Sequence, residues 1–400
     1  MDILIKNGRV LDPADSTDAI LDIYIEKGKI KAIGPNLQAN HSVKIINATN
    51  MWVTPGLIDM HTHLRDPGWP HKETIATGTA AAAAGGFTTI CPMANTNPVT
   101  DSAATVEYIL STAKKEGLVH IVPIGSATIG LEGQEISPIS QLKAAGVCAI
   151  SDDGKTVETP TIFYAALEQA AACDLPVLSH CNDEAEATFI SRDIILARET
   201  GARLHICHVS TAEGIAHIRA AQSQGLPVTA EACPHHFTLS SEDIPGQDTN
   251  YKMSPPLRSR QDVEAIKQAL KDGTIGVIAT DHAPHHETDK NCPYENAANG
   301  IIGLETAVPL CITELNLTPL ELIAKLTINP ARILGLDKGT LAPGKAADIT
   351  IIDPNINHII DKNSFKSKSR NTPFHKRPVR GKVLYTLVEG KIVYDNRQSD

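Results

Sequence analysis

No stretch of this 400-residue sequence stays apolar for the roughly 18 residues that a membrane-spanning helix requires. The opening Met1-Asp2-Ile3-Leu4-Ile5-Lys6 lacks the charged and apolar regions of a signal peptide. Nor is there an excess of positive charge. Lys and Arg number 36 against 46 Asp and Glu, and the resulting net charge of −10 leaves no electrostatic footprint for nucleic acid or an anionic membrane. None of the eight cysteines forms a Cys-x-x-Cys pair; they lie in or beside apolar runs, as reduced, buried thiols do. Internal repeats and low-complexity segments are also missing. These absences describe a cytoplasmic globular protein whose ligands are small molecules. At 42% hydrophobic and 20% charged residues, the composition allows a large barrel-sized domain plus a smaller one.

Residues 1–52 read as short strands, Ile3 to Lys6, Ala19 to Glu26, Lys29 to Ile33 and Val43 to Asn47, punctuated by Asn7-Gly8, Lys27-Gly28 and Pro35. Across 53–338, short apolar runs alternate with longer Ala-rich amphipathic segments, which argues for βα units around a parallel sheet. Eight runs qualify: Gly56 to Met60, Thr88 to Cys91, Val119 to Ile124, Val147 to Ile150, Pro176 to Leu178, Leu204 to Cys207, Pro227 to Ala230 and Ile275 to Ala279. Helices are expected between them, and after Leu304 the chain is expected to return to helix, ending with Leu320 to Leu334 before Gly335. Eight such units predict an α/β fold of the TIM-like (β/α)8 barrel type, with catalytic residues where strands end. An open doubly wound sheet is the alternative, but no Gly-x-Gly-x-x-Gly follows the first strand. Residues 339–400 return to strands, Ala347 to Asp353 and Val383 to Val393. The two chain ends are therefore expected to pair in one small β-sandwich domain beside the barrel.

The chemistry lies just after the apolar runs. His61-Thr62-His63 follows the first run, and in an extended strand alternate residues share a side, so both imidazoles and Arg65 face one way. Ser151-Asp152-Asp153-Gly154 follows the fourth, His180 the fifth, His208 the sixth, and Asp281-His282 the eighth. A single histidine such as His180 is commonly just a satisfied polar residue. Five strand ends that all offer ligands would converge on one face of a barrel. Four histidines and two carboxylates exceed what one catalytic zinc uses, so two metals with a shared ligand fit the count better. Such a pair is hydrolytic machinery.

The joint set of motifs resembles the bacterial dihydroorotases of the amidohydrolase superfamily. It comprises Gly56-Leu-Ile-Asp-Met-His-Thr-His-Leu-Arg-Asp-Pro-Gly68, Met93-Ala-Asn-Thr-Asn-Pro98, Ser151-Asp-Asp-Gly154, His205-Ile-Cys-His-Val-Ser210, Thr249-Asn-Tyr-Lys-Met-Ser-Pro-Pro-Leu-Arg258 and Thr280-Asp-His-Ala-Pro-His285. The likeness covers essentially the whole chain, including Ser364-Phe-Lys-Ser-Lys-Ser-Arg-Asn-Thr-Pro-Phe374.

The resemblance implies reversible cyclisation of N-carbamoyl-L-aspartate to L-dihydroorotate in pyrimidine biosynthesis, with two Zn2+ per chain. His61, His63 and Asp281 would hold the first zinc, His180 and His208 the second, and Asp153 would bridge them. Many relatives bridge with a carboxylated lysine, which makes Lys155 a rival. Asp281 would also act as general acid and base. Arg65, Asn95 and His285 would bind the substrate carboxylates, and Ser254 stands where the family usually has the asparagine that holds the ring. Ala94, the short span between His180 and Ser191, and Asn296-Ala-Ala-Asn-Gly300 depart from the family pattern as well. The family further implies a homo-oligomer, and association with aspartate transcarbamoylase in some members. Two other readings compete. One is a different cyclic amidase (dihydropyrimidinase, hydantoinase or allantoinase), which generally lacks the Arg65 fork. The other is a non-catalytic dihydroorotase-like subunit of the transcarbamoylase, a class that loses metal histidines.

Overall fold

The structure is a computed structural model that describes residues 2–39 and 42–399. Strands Ile3–Asp12, Thr17–Glu26, Lys29–Gly34, Lys44–Asn47 and Trp52–Pro55 join Ile349–Ile359, Pro378–Val388 and Lys391–Asp395 in one eight-stranded sheet. The seam is Trp52–Pro55, which pairs antiparallel with Ile349 to Ile352 and parallel with Arg9 and Val10. The expected pairing of the two ends is thus present in the strand ladder. Period-2 alternation explains the burial: Ile23 and Ile25 are buried while Tyr24 between them is not, and with Val53, Ile349 and Ile351 they form a core of their own.

Between the two ends lie parallel strands in two groups. Leu57–Thr62, Phe87–Pro92 and His120–Ile121 form one sheet, and Val177–Ser179, Leu204–Ile206, Val228–Ala232 and Val277–Ile278 form the other. Helices Ile75–Ala84, Ala103–Glu116, Ile139–Ala145, Pro160–Ala172, Glu186–Thr200, Ala212–Ser223 and Arg260–Asp272 follow the expected alternation. Their starts are written in the sequence: the Thr74, Ser102, Thr211 and Ser259 side chains each accept a backbone N–H three residues on. Gly56 immediately precedes the first parallel strand, and a Cβ there would lie 2.1 Å from Thr88 Oγ1, so only glycine lets the second strand close up.

Two expectations need correction. The fourth apolar run, Val147 to Ile150, does not form a regular strand: Ile150 bridges Gly125 and Val177 singly, while Cys148 N–H donates to the Pro123 carbonyl and the Ala149 carbonyl accepts from Gly125 N–H. It is confined between the left-handed Gly146 that ends a helix and Asp152, whose carboxylate takes the backbone N–H groups of Ala127 and Thr128. The two parallel sheets are accordingly joined by single bridges, with Thr62 to His282 at the other junction, and not by a continuous closed ladder. The helix expected from Leu320 to Leu334 is also broken at Thr327 into Pro319–Leu326 and Ile328–Leu334. Pro330 has no N–H to give, and its ring clashes with a continuous turn at Leu326.

Candidate metal centre

The ends of these strands bring six ionisable side chains into contact. Asp153 is the hub. Its Oδ1 lies 3.2 Å from His61 Nε2, 3.3 Å from His180 Nδ1 and 3.4 Å from His208 Nε2, and its Oδ2 lies 3.4 Å from His63 Nε2. Asp281 Oδ1 sits 2.9 Å from His63 Nε2 and 3.6 Å from His61 Nε2. All are buried except His180, which is nearly so. Asp152 faces away from this group onto Ala127 and Thr128, and Lys155 is exposed.

The donor set suits a cation. His61 Nε2 and Asp153 Oδ1 are buried without a hydrogen-bond partner, and His180 Nδ1 and His208 Nε2 approach each other at 2.9 Å. Ligand atoms of His61, His63 and Asp281, and of His61, Asp153 and His208, each fall within 4.8 Å of one another. Paired lone pairs and carboxylates at such distances are what a divalent ion neutralises. Burial opposes ionisation of Asp153 and Asp281, but neighbouring His61 and the hydrogen-bonded histidines outweigh it and hold both carboxyls below their ordinary values. Both are therefore anionic acceptors. Arg65, His208 and Asp281 adopt left-handed backbones (φ 57°, 30° and 46°), conformations that non-glycine residues keep only where the surroundings fix them.

The ring orientations depend on residues that the sequence reading missed. His61 Nδ1–H donates to Glu231 at 2.6 Å, and His205 Nε2–H donates to the other oxygen of the same carboxylate at 3.1 Å. This requires the proton on Nδ1 and aims Nε2 at Asp153. Glu231 is wholly buried, and its neighbouring histidines hold its pKa well down against the effect of burial. Asp59, also buried, accepts the N–H groups of His61 and Thr280 and so ties the first strand to the last; burial raises its carboxyl to about 7. A glutamate inside the apolar Pro227-Val-Thr-Ala-Glu-Ala-Cys233 run was the available signal for the first of these.

The residues expected to bind substrate are only partly assembled in one place. Arg65 Nε donates to the Pro284 carbonyl at 3.1 Å, and its guanidinium lies 3.3 Å from His285. Burial lowers the Arg65 pKa to about 10 despite the nearby acids. Burial together with Arg65, Lys72 and Lys290 pushes His285 down to about 3, so its ring is neutral, with Nε2 at 2.8 Å from the Asn299 carbonyl. Asn95 instead accepts from His63 Nδ1 at 2.8 Å. Ser254 is turned toward the short segment after His180, its hydroxyl donating to Asp183 at 2.7 Å.

A profile of the amidohydrolase family matches residues 52–393. The chain is 46% identical to a dihydroorotase of Acetivibrio thermocellus over 420 aligned positions, which cover 98% of each chain. It is 45% identical to a dihydroorotase of Syntrophobacter fumaroxidans, covering 98% of this chain and 96% of the relative. Among solved structures, an L-hydantoinase (dihydropyrimidinase) from Arthrobacter aurescens superposes with a TM-score of 0.90 at 26% identity, over 98% of this chain and 96% of that one.

Proposed function

From the premise that the chain belongs to the amidohydrolase family, we infer that it is a dihydroorotase, an enzyme that interconverts N-carbamoyl-L-aspartate and L-dihydroorotate in pyrimidine biosynthesis. The observation that carries this reading is the near full-length likeness to dihydroorotases, in a chain that retains all four histidines and both aspartates of the buried cluster. The retained histidines argue against a non-catalytic subunit. The hydantoinase likeness is one of fold at much lower identity, and Arg65 favours a substrate with a free carboxylate.

Several finer points belong to the same reading. The bridges Gly125 to Ile150, Ile150 to Val177 and Thr62 to His282 support taking the two parallel sheets as one (β/α)8 barrel over 53–338, with 1–52 and 339–400 forming the small β domain. His61, His63 and Asp281 would hold one Zn2+, His180 and His208 a second, and Asp153 would lie between them. Zinc bound there would supply Lewis acidity to the ring carbonyl and lower the pKa of the attacking water.

The chain's own residues supply the rest. The Arg65 fork takes the substrate carboxylate, with neutral His285 alongside as a hydrogen-bonding partner. Asn95, which holds the His63 ring, meets the same carboxylate. Ser254, tied to Asp183, shapes the wall against the ring. In ring opening, the Asp281 carboxylate accepts the proton released by the water and returns it to the leaving amide nitrogen; cyclisation reverses this. Because ring closure consumes a proton, acid favours dihydroorotate and alkali favours carbamoyl aspartate. We place the enzyme in the cytoplasm as a homo-oligomer, with aspartate transcarbamoylase as a partner to test.

The test is ring opening of L-dihydroorotate followed in the ultraviolet, with metal content measured on the same sample and dihydrouracil, hydantoin and allantoin as competing substrates. Turnover of dihydroorotate with about two zincs per chain is expected. Preference for dihydrouracil or hydantoin would overturn the assignment. Inactivity in the zinc-loaded chain, both alone and with the transcarbamoylase, would do the same.

A further inference from the structure

A second cluster of metal-ligating side chains sits at the end of the strand between those that precede His208 and Asp281, and shares no residue with the centre described above. Strand Val228–Ala232 ends at Cys233-Pro-His-His, and Pro234 starts the short turn of helix Pro234–Thr238. Ligand atoms of Cys233, His235 and His236 all fall within 4.8 Å of one another. The three residues are 0%, 1% and 2% exposed.

Each of the two histidines has a buried ring nitrogen with nothing to bond. His236 Nε2–H donates to the Pro255 carbonyl at 2.9 Å, which fixes the tautomer and leaves Nδ1 a bare lone pair; that Nδ1 is buried without a partner. His235 Nε2 is likewise buried and unpartnered, and the two rings meet edge to face with centroids 4.3 Å apart. Backbone anchoring of the far ring nitrogen is how metal-ligating histidines are held. An apolar role does not account for two imidazoles that each leave a buried polar atom unsatisfied. Burial also keeps both rings neutral, which is the ligating form.

We propose that Cys233, His235 and His236 form a separate metal site, taking a zinc-type divalent cation through one thiolate and two imidazoles. Three protein ligands leave a fourth position open, and the sulfur makes the site softer than the oxygen-rich centre around Asp153. Binding breaks the Cys233 S–H bond, forms the S–metal bond and releases the proton to solvent, so affinity rises with pH.

Sulfur makes the test selective, because none of the six residues assigned to the main centre carries it. The full-length protein is stripped of metal and titrated with Co2+ while the near-ultraviolet thiolate-to-cobalt charge-transfer band is recorded. The band is expected in the wild type. In Cys233→Ser it is expected to vanish, with one cobalt fewer bound per chain. Cys207→Ser is the control, since Cys207 lies near His61 and Glu231; it should keep the band. No band in the wild type, or a band lost with Cys207 and kept without Cys233, overturns the proposal. If Cys233→Ser does not fold, His236→Gln must bind one cobalt fewer than the wild type, and equal stoichiometry there overturns it as well.

Discussion

Replacing Glu231 with glutamine separates the orientation of His61 from its mere presence. The carboxylate is wholly buried and accepts from His61 Nδ1 at 2.6 Å and from His205 Nε2 at 3.1 Å. Glutamine keeps the size but presents one acceptor and one donor, so one of the two imidazoles must face an N–H with its own N–H. Charge-assisted hydrogen bonds contribute about 1.5–3 kcal/mol each, and breaking a buried charge pair costs about 3–5 kcal/mol. We therefore expect Glu231→Gln to lose about 3–5 kcal/mol of unfolding free energy. Loss of such an outer hydrogen bond weakens metal binding by roughly 10–100-fold. Activity titrated against buffered free zinc should then need ~10–100 times more zinc for half-saturation, and should recover much of its rate once saturated. Guanidinium unfolding reports the stability change. If the variant unfolds at the wild-type midpoint and saturates at the wild-type zinc concentration, Glu231 does not orient the ligand.

Three further outcomes are expected. Asp281→Asn should cut turnover by at least ~10² while retaining substantial metal, because the amide cannot take the proton; near-normal kcat at full metal content removes Asp281 from proton transfer. Arg65→Lys should raise the Michaelis constant for carbamoyl aspartate, since a point charge does not reproduce a planar fork, and an unchanged constant would refute the carboxylate contact. Lys325 is buried against the Ile275 carbonyl, and burial lowers its pKa from 10.5 to about 8. Between those values the unfolded chain binds more protons than the folded one, so stability should rise with pH from about 8 to 10.5, by up to roughly 3 kcal/mol. Lys325→Met should flatten that slope and raise the melting temperature at pH 7; calorimetry across the range checks both.

The ligand cluster was legible because a strand end is a local event. Each of His61, His63, Asp153, His180, His208 and Asp281 lies within three residues of the end of an apolar run, and parallel pairing then brings the ends together. Glu231 escaped because the seventh run was read as ending at Ala230, whereas the strand continues to Ala232. Period 2 alone does not say which end of a run extends. Asn95 and Ser254 illustrate a different limit. Their residue types announce polar contacts, but whether the partner is a substrate, His63 or Asp183 depends on loops packed from distant parts of the chain. The fourth run is hydrogen-bonded to Pro123, Gly125 and Pro176 without forming a regular ladder, a distinction that has no signature in hydrophobicity.

The seam between the chain ends has a consequence for synthesis. Thr54 Oγ1 reaches the Thr350 carbonyl across 296 residues of sequence, and the whole edge of Trp52–Pro55 waits for that partner. At about 5–20 residues per second, a ribosome leaves this strand unpaired for roughly 15–60 s. During that interval its free N–H and C=O groups offer a template to any passing strand, including the same segment of a neighbouring nascent chain. A chaperone should therefore improve the soluble yield most when it protects the first 55 residues, which hold none of the six clustered side chains.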